Sequence, residues 1–231
     1  MAVMQTLLKS LEETTSYKIK ALEHIVSQCR KAGDLPPSKR GFGAAPVTVR
    51  DAANLLIATF ATASPAEIVP EPGRASIVAQ FRSLRASIPF GSSQDAIPPF
   101  RSIGAAKDFG KALELLIENT PAIVTLNGMA IIEEHQNKEV RSATFDDFLT
   151  GSRLIFSRPK PYAAIKLVES GAQGEIPMFA MDFHWDFDLL DQGFYASVNV
   201  DDRTQRSISL KTLLNLSAAV FGRDEEAERL G

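Results

Sequence analysis

The chain has 231 residues, 45% of them hydrophobic, which is enough apolar side chain for a real core without disulfide or metal staples. Its single cysteine, Cys29, excludes an internal disulfide framework and fits a reducing cytoplasm. A formal net charge of -3 argues against polyanion binding by bulk electrostatics, so any such role must come from the distribution of charge.

Met1 to Lys9 carries no basic stretch ahead of an apolar run, and no signal peptide is expected. The longest apolar stretch, Ala52 to Ala63, is interrupted by Asn54, Thr59 and Thr62 and falls short of the roughly 20 residues that cross a bilayer, so no membrane span is expected either. Leu7, Leu8 and Leu11 predict a short first helix. Ser16 is placed to cap a second, with Ile19, Leu22, Ile25, Val26 and Cys29 at helical spacing and Gly33 where a left-handed C-terminal cap belongs.

Asp34 to Pro46 holds three prolines and two glycines and reads as a loop. Thr48, followed three residues later by Asp51, predicts a capping box that opens a third helix, with Ala52, Leu55, Leu56 and Phe60 on one face. Ser64-Pro65-Ala66-Glu67 repeats that grammar for a fourth, and Ile77, Val78, Phe81 and Leu84 mark a fifth. Pro89 to Pro99 is the linker candidate. It divides the chain into a helical domain, 1–95, and an α+β domain, 96–231.

Ala105 to Asn119 predicts another helix, stopped by Asn119 and Pro121. Beyond it, Val124–Leu126 and Met129–Ile132 flank Asn127-Gly128, a strong hairpin signal because both residues tolerate positive φ. Strands are expected at Leu154–Ser157, Ala163–Val168, Met178–Trp185 and Phe194–Val200, and a helix over Ser207–Val220. The fold class is therefore α+β: a mostly helical N-terminal part with a helix-turn-helix-like element, then a small antiparallel sheet with a helix across it.

Between Ser16 and Arg50 there are seven basic residues against two acidic ones. Arg30, Lys31, Lys39, Arg40 and Arg50 surround the loop containing Gly41 and Gly43. Glycine amides there can approach phosphates closely while the cations neutralise charge, and Thr48 and Arg50 stand at the start of the third helix. The plain alternative is that these cations decorate a connection between two core helices. At about a dozen residues the loop exceeds the three or four of a compact helix-turn-helix.

Asp182, His184, Asp186 and Asp188 alternate with Phe183, Trp185, Phe187 and Leu189. Same-face residues of one strand start about 6.5 to 7 Å apart, too far to converge on one ion unaided, so an amphipathic strand with a wet outer face is expected and no metal site. Arg158-Pro159-Lys160-Pro161 reads as a turn between strands, with Arg153 and Lys166 near it. No phosphate-binding Gly-x4-Gly-Lys, nucleophile elbow or zinc-protease helix is present; the chain is read as a non-enzyme needing no cofactor.

The phrase Arg30-Lys31-Ala32-Gly33-Asp34-Leu35-Pro36-Pro37, then Lys39-Arg40-Gly41-Phe42-Gly43-Ala44-Ala45-Pro46 and Thr48-Val49-Arg50-Asp51-Ala52-Ala53, loosely resembles helix-turn-helix-like proteins of bacterial prophage or mobile-element regions over about the first 60 residues. That resemblance implies a DNA-binding regulatory or accessory protein in a bacterial cytoplasm. Double-stranded DNA is then the expected partner, with the C-terminal part forming a homo-oligomer or binding a protein. The alternative is an interaction module with no nucleic-acid role.

Overall fold

The computed structural model describes residues 4–37, 46–89, 98–134, 147–158, 161–171, 174–184 and 204–221. Helix α1 (Met4–Thr14) buries Leu7, Leu8 and Leu11, and α2 (Ile19–Ala32) buries Leu22, Ile25, Val26 and Cys29, the stripes expected of both. Lys18, rather than Ser16, is the N-cap of α2, and its side chain makes no capping bond. The far end is as expected. Gly33 turns left-handed at φ 80°, its amide donates to the Arg30 carbonyl, and the Asp34 amide reaches back to Cys29 at 2.9 Å.

The Thr48–Asp51 capping box is present, and it opens α3 (Val49–Phe60). Every residue of α3 from Asp51 to Phe60 is buried, so this helix is the axis of the core and not a helix with one apolar face. The segment after it is a single 3-10 turn (Pro65–Ile68). Ser64 makes no side-chain cap there, while Glu67 accepts from the Ala63 amide and pairs with Arg158 across the fold. Helix α4 (Ile77–Arg82) follows, capped by Ser76.

Strand β1 (Arg85–Ala86) and helix α5 (Pro98–Gly104) flank the expected linker, of which 90–97 lies outside the described residues. Helix α6 (Phe109–Glu134) overturns two expectations. It runs straight through Pro121, and it includes Asn127 and Gly128 where a hairpin was expected. The reason lies in tertiary packing. Ala112, Leu113, Leu116, Ile117, Thr120, Ile123, Val124 and Asn127 form one buried helical stripe on both sides of the proline, and Pro121 itself is half-buried on the other side. Burial along that stripe outweighs the roughly 3 kcal/mol that an interior proline costs.

After a helical stretch at 147–151 come β2 (Arg153–Arg158), β3 (Tyr162–Gly171), β4 (Gly174–His184) and β5 (Thr204–Ser209), then helix α7 (Leu210–Phe221). All pairings are antiparallel, and the sheet order is β1-β4-β3-β2-β5. The α+β class is therefore the observed one. The strand expected at Phe194–Val200 lies outside the described residues. Residues 204–209, half of them expected as helix, form the edge strand β5 before α7 begins.

Leu7 of α1, Leu55 of α3, Phe109 of α6, Phe156 of β2 and Leu213 of α7 belong to a single apolar cluster. Helix α1 packs on α7, and α3 packs on α6, which brings the first and last described helices into that cluster. Arg206 of β5 fastens the seam. Its Nη1 donates to the Tyr17 hydroxyl and to the Thr62 carbonyl, both at 2.7 Å, so a cation sits at the carbonyl end of α3. Among the described residues no helix is long and apolar enough to cross a membrane.

Candidate functional site

The end of α2, the start of α3 and the end of α4 converge on an open cavity of roughly 840 Å³. Arg30 and Arg50, twenty positions apart in the sequence, both line it. So do Pro36 and Pro37 at the start of the basic loop, whose Lys39, Arg40, Gly41 and Gly43 lie outside the described residues. Arg50 is exposed and makes no hydrogen bond or ion pair among the described residues. The Arg30 Nε donates to the Pro36 carbonyl at 3.2 Å, which steadies the turn and leaves the rest of the guanidinium unbonded. Lys31 is exposed on the last turn of α2, where positive charge also suits the helix dipole.

Thr48 is exposed, but its hydroxyl is engaged. It accepts from the Asp51 amide at 3.1 Å and donates to the Asp51 carboxylate at 2.8 Å. Of the first-turn donors of α3, the amides of Val49 and Arg50 are left for an external acceptor. With Asp51 to Phe60 buried, α3 has no exposed flank to lay in a DNA groove, and only its first residues reach the surface.

The cavity floor is a polar network that the sequence did not disclose. The Asn54 amide nitrogen donates to the Asp34 carbonyl at 2.6 Å, and its oxygen accepts from Arg82 Nη1 at 2.9 Å. The other Arg82 nitrogen pairs with Glu114 of α6. Asp108 also lines the cavity and caps α6, accepting from the Lys111 amide at 2.8 Å. One signal was present in the sequence. Asn54 stands in an otherwise apolar run, and a buried amide requires partners. Asp34, Asp51 and Asp108 balance Arg30, Arg50 and Arg82 inside the cavity, so the excess positive charge belongs to the surrounding surface, at Lys31 and in the loop.

Asp34 accepts from the Ser76 hydroxyl at 2.9 Å through one carboxylate oxygen, while the other is buried without a partner. Burial raises its pKa from the ordinary carboxylate value, against the opposing pull of the Ser76 bond and the Arg82 charge. A carboxyl whose folded pKa is raised stabilises the fold when protonated, and that contribution is lost as pH rises through the folded value. Wild type is therefore expected to gain stability relative to Asp34→Asn as pH falls from neutrality into the ordinary carboxylate range. Urea titrations at several pH values check this; parallel profiles for the two proteins would refute it. Burial, with help from the Asp34 charge, pushes the neighbouring Cys29 up to about 12, so this thiol is protonated and inert at neutral pH.

Asp182 and His184 are not on a wet outer face. β4 is an inner strand, paired with β1 and β3; Tyr162, the register partner of His184, donates to Asp182 at 2.7 Å, and its ring lies 5.0 Å from the imidazole. His184 is buried and Asp182 is half-buried. Asp186 and Asp188 lie outside the described residues. Among the described residues no group of three or more histidine, cysteine or carboxylate side chains is gathered to hold a metal.

Fold and cavity together describe an α+β protein with an arginine-framed cleft that Pro36 and Pro37 help to line. No family model matches the chain, and no curated protein or solved structure shows significant similarity to it.

Proposed function

We propose that the protein binds nucleic acid, most simply double-stranded DNA, as a non-catalytic regulatory or accessory factor that contacts phosphates through Arg30, Lys31, Arg50 and the loop cations Lys39 and Arg40. The observation that carries this reading is the convergence of Arg30 and Arg50 on one open cleft, neither in an ion pair with the cleft's carboxylates or any other among the described residues. An arginine that makes no ion pair keeps its fork of donors for bidentate contact with a phosphate. Burial of α3 gives the contact its character. The backbone is gripped, with no helix in the groove, so affinity is strongly salt-dependent and weakly dependent on sequence.

The test is a salt titration of binding to random duplex DNA, with an Arg30→Ala/Arg50→Ala double variant alongside. Arg50 is exposed and Arg30 half-buried with one bond to the Pro36 carbonyl, so the variant is expected to stay folded with a melting temperature only slightly below that of wild type. Its affinity should fall on every sequence, and its salt slope should flatten by roughly 0.9 for each lost contact. Absence of binding at low salt, or a slope the double variant leaves unchanged, overturns the proposal.

A further inference from the structure

We propose that a second cavity, remote in sequence from the basic loop, is a binding site for a small phosphate-bearing anion. It measures roughly 320 Å³, within the range of small-molecule sites, and lies where the α1–α2 turn meets the β2–β5 edge of the sheet and the first turn of α7. Among the described residues its lining is mostly hydroxyl, with one cation, Arg153, and no carboxylate.

The register builds the polar side. Arg153 of β2 stands directly opposite Ser209 of β5, and strand alternation puts Ser207 on the same side of β5 as Ser209. Ser16 faces them from the α1–α2 turn, and Thr212 from α7. None of these four hydroxyls, nor the Arg153 guanidinium, has a side-chain hydrogen bond or ion pair among the described residues.

Thr212 is the decisive one. It is 2% exposed, and its hydroxyl has no hydrogen-bond partner among the described residues. Unlike Ser10 and Ser217, whose oxygens are sealed in the protein, its oxygen opens on the cavity. α7 adds a positive helix end. No acid occupies its first turn, and the Leu210 amide is taken by the Ser152 carbonyl, which leaves the amide of Thr212, a residue of the lining, for a ligand. Donors from three elements and a guanidinium, with no opposing carboxylate, select an oxyanion over a neutral polyol. Phe60 and Ile208 supply an apolar wall for a short organic group attached to it.

Calorimetric titration of the full chain at constant ionic strength tests this, with inorganic phosphate and glycerol 3-phosphate as probes and chloride and glycerol as controls. Saturable binding of one equivalent is expected, weakened about tenfold or more in Arg153→Gln and severalfold in Thr212→Val, as loss of charge-assisted and neutral bonds implies. The Arg30→Ala/Arg50→Ala variant should bind the probe like wild type, which separates this site from the nucleic-acid reading. Tighter binding of the ester assigns a phosphomonoester as ligand, and equal binding assigns the free anion; either supports the site. No saturable heat with either probe at millimolar concentration, or undiminished binding by the Arg153→Gln protein, whose substitution is at an exposed position, overturns it.

Discussion

Replacing Phe156 with alanine is expected to destabilise the protein by about 4 kcal/mol, the usual cost of removing a buried phenyl ring from a core that cannot collapse into the space. Phe156 is 1% exposed on β2 and is the point where the sheet meets three helices. Its ring centroid lies 6.1 Å from Phe60 of α3, 6.0 Å from Phe81 of α4 and 5.7 Å from Phe109 of α6. No single neighbour can fill the void without leaving the other two, and the aromatic contacts add to the area term. Since domains are stable by only about 5 to 15 kcal/mol, this loss is a large share of the whole. Urea titration is the measurement, with Phe156→Leu as a control that refills most of the volume and should cost markedly less. A loss below about 1 kcal/mol in the alanine variant would mean that the three helices do not depend on this ring.

The elements legible in the sequence were those whose signals are local. Gly33 ended α2, and the Thr48–Asp51 box opened α3, because a positive φ and a reciprocal pair of capping bonds need nothing beyond a few residues. Three of the expected strands were found for a similar reason, since period-two patterning is written in the strand itself. What failed was decided at a distance. Pro121 and Asn127-Gly128 are strong breakers in isolation, yet they sit in a helix whose buried stripe is held by the rest of the core. The full burial of α3 was likewise invisible. Asp51, Asn54 and Thr59 are polar by type, yet each is satisfied internally, by the capping box, by Arg82 and Asp34, and by the Leu55 carbonyl.

The candidate sites divide in the same way. Arg30 and Arg50 were legible as cations beside a glycine-rich loop, but their meeting at one cleft depends on how α2 packs against α3. The hydroxyl-lined cavity left no trace, because Ser16, Ser207, Ser209 and Thr212 are turn and cap residues by type. Only the β2–β5 register sets Arg153 beside Ser209.

Removing Arg82 is expected to cost about 3 kcal/mol, because it strands two acceptors at once. Its side chain is 19% exposed and that of its partner Glu114 is 15%, so this pair is largely shielded from the solvent that makes surface ion pairs weak. In Arg82→Ala the Asn54 oxygen loses its donor, and Glu114 keeps only Lys111, whose ammonium is 3.8 Å away and half-exposed. The helices joined by these bonds are α3, α4 and α6, so the loss should appear as global destabilisation in a urea titration. Arg82→Met combined with Glu114→Met should recover most of the stability, since that change removes both charges and leaves none buried alone.

Gly110 offers an independent route to the same network. A Cβ at that position would meet Arg82 Cζ at 2.9 Å and Arg82 Cβ at 3.1 Å, so the arginine lies against α6 only because the helix has no side chain there. Gly110→Ala improves intrinsic helix propensity by about 1 kcal/mol and would stabilise α6 if packing were indifferent. Displacement of Arg82 reverses the sign, and net destabilisation is expected, reduced in the Arg82→Ala background, where the guanidinium contacts are gone and only the tight approach of the residue-82 Cβ remains. Arg82→Ala removes, and Gly110→Ala displaces, the positive charge beside Asp34, which raises that carboxyl's pKa further and moves its pH-dependent loss of stability to higher pH. Additive effects of the two substitutions, or an unmoved pH profile, would show that Arg82 does not organise the floor of the cleft.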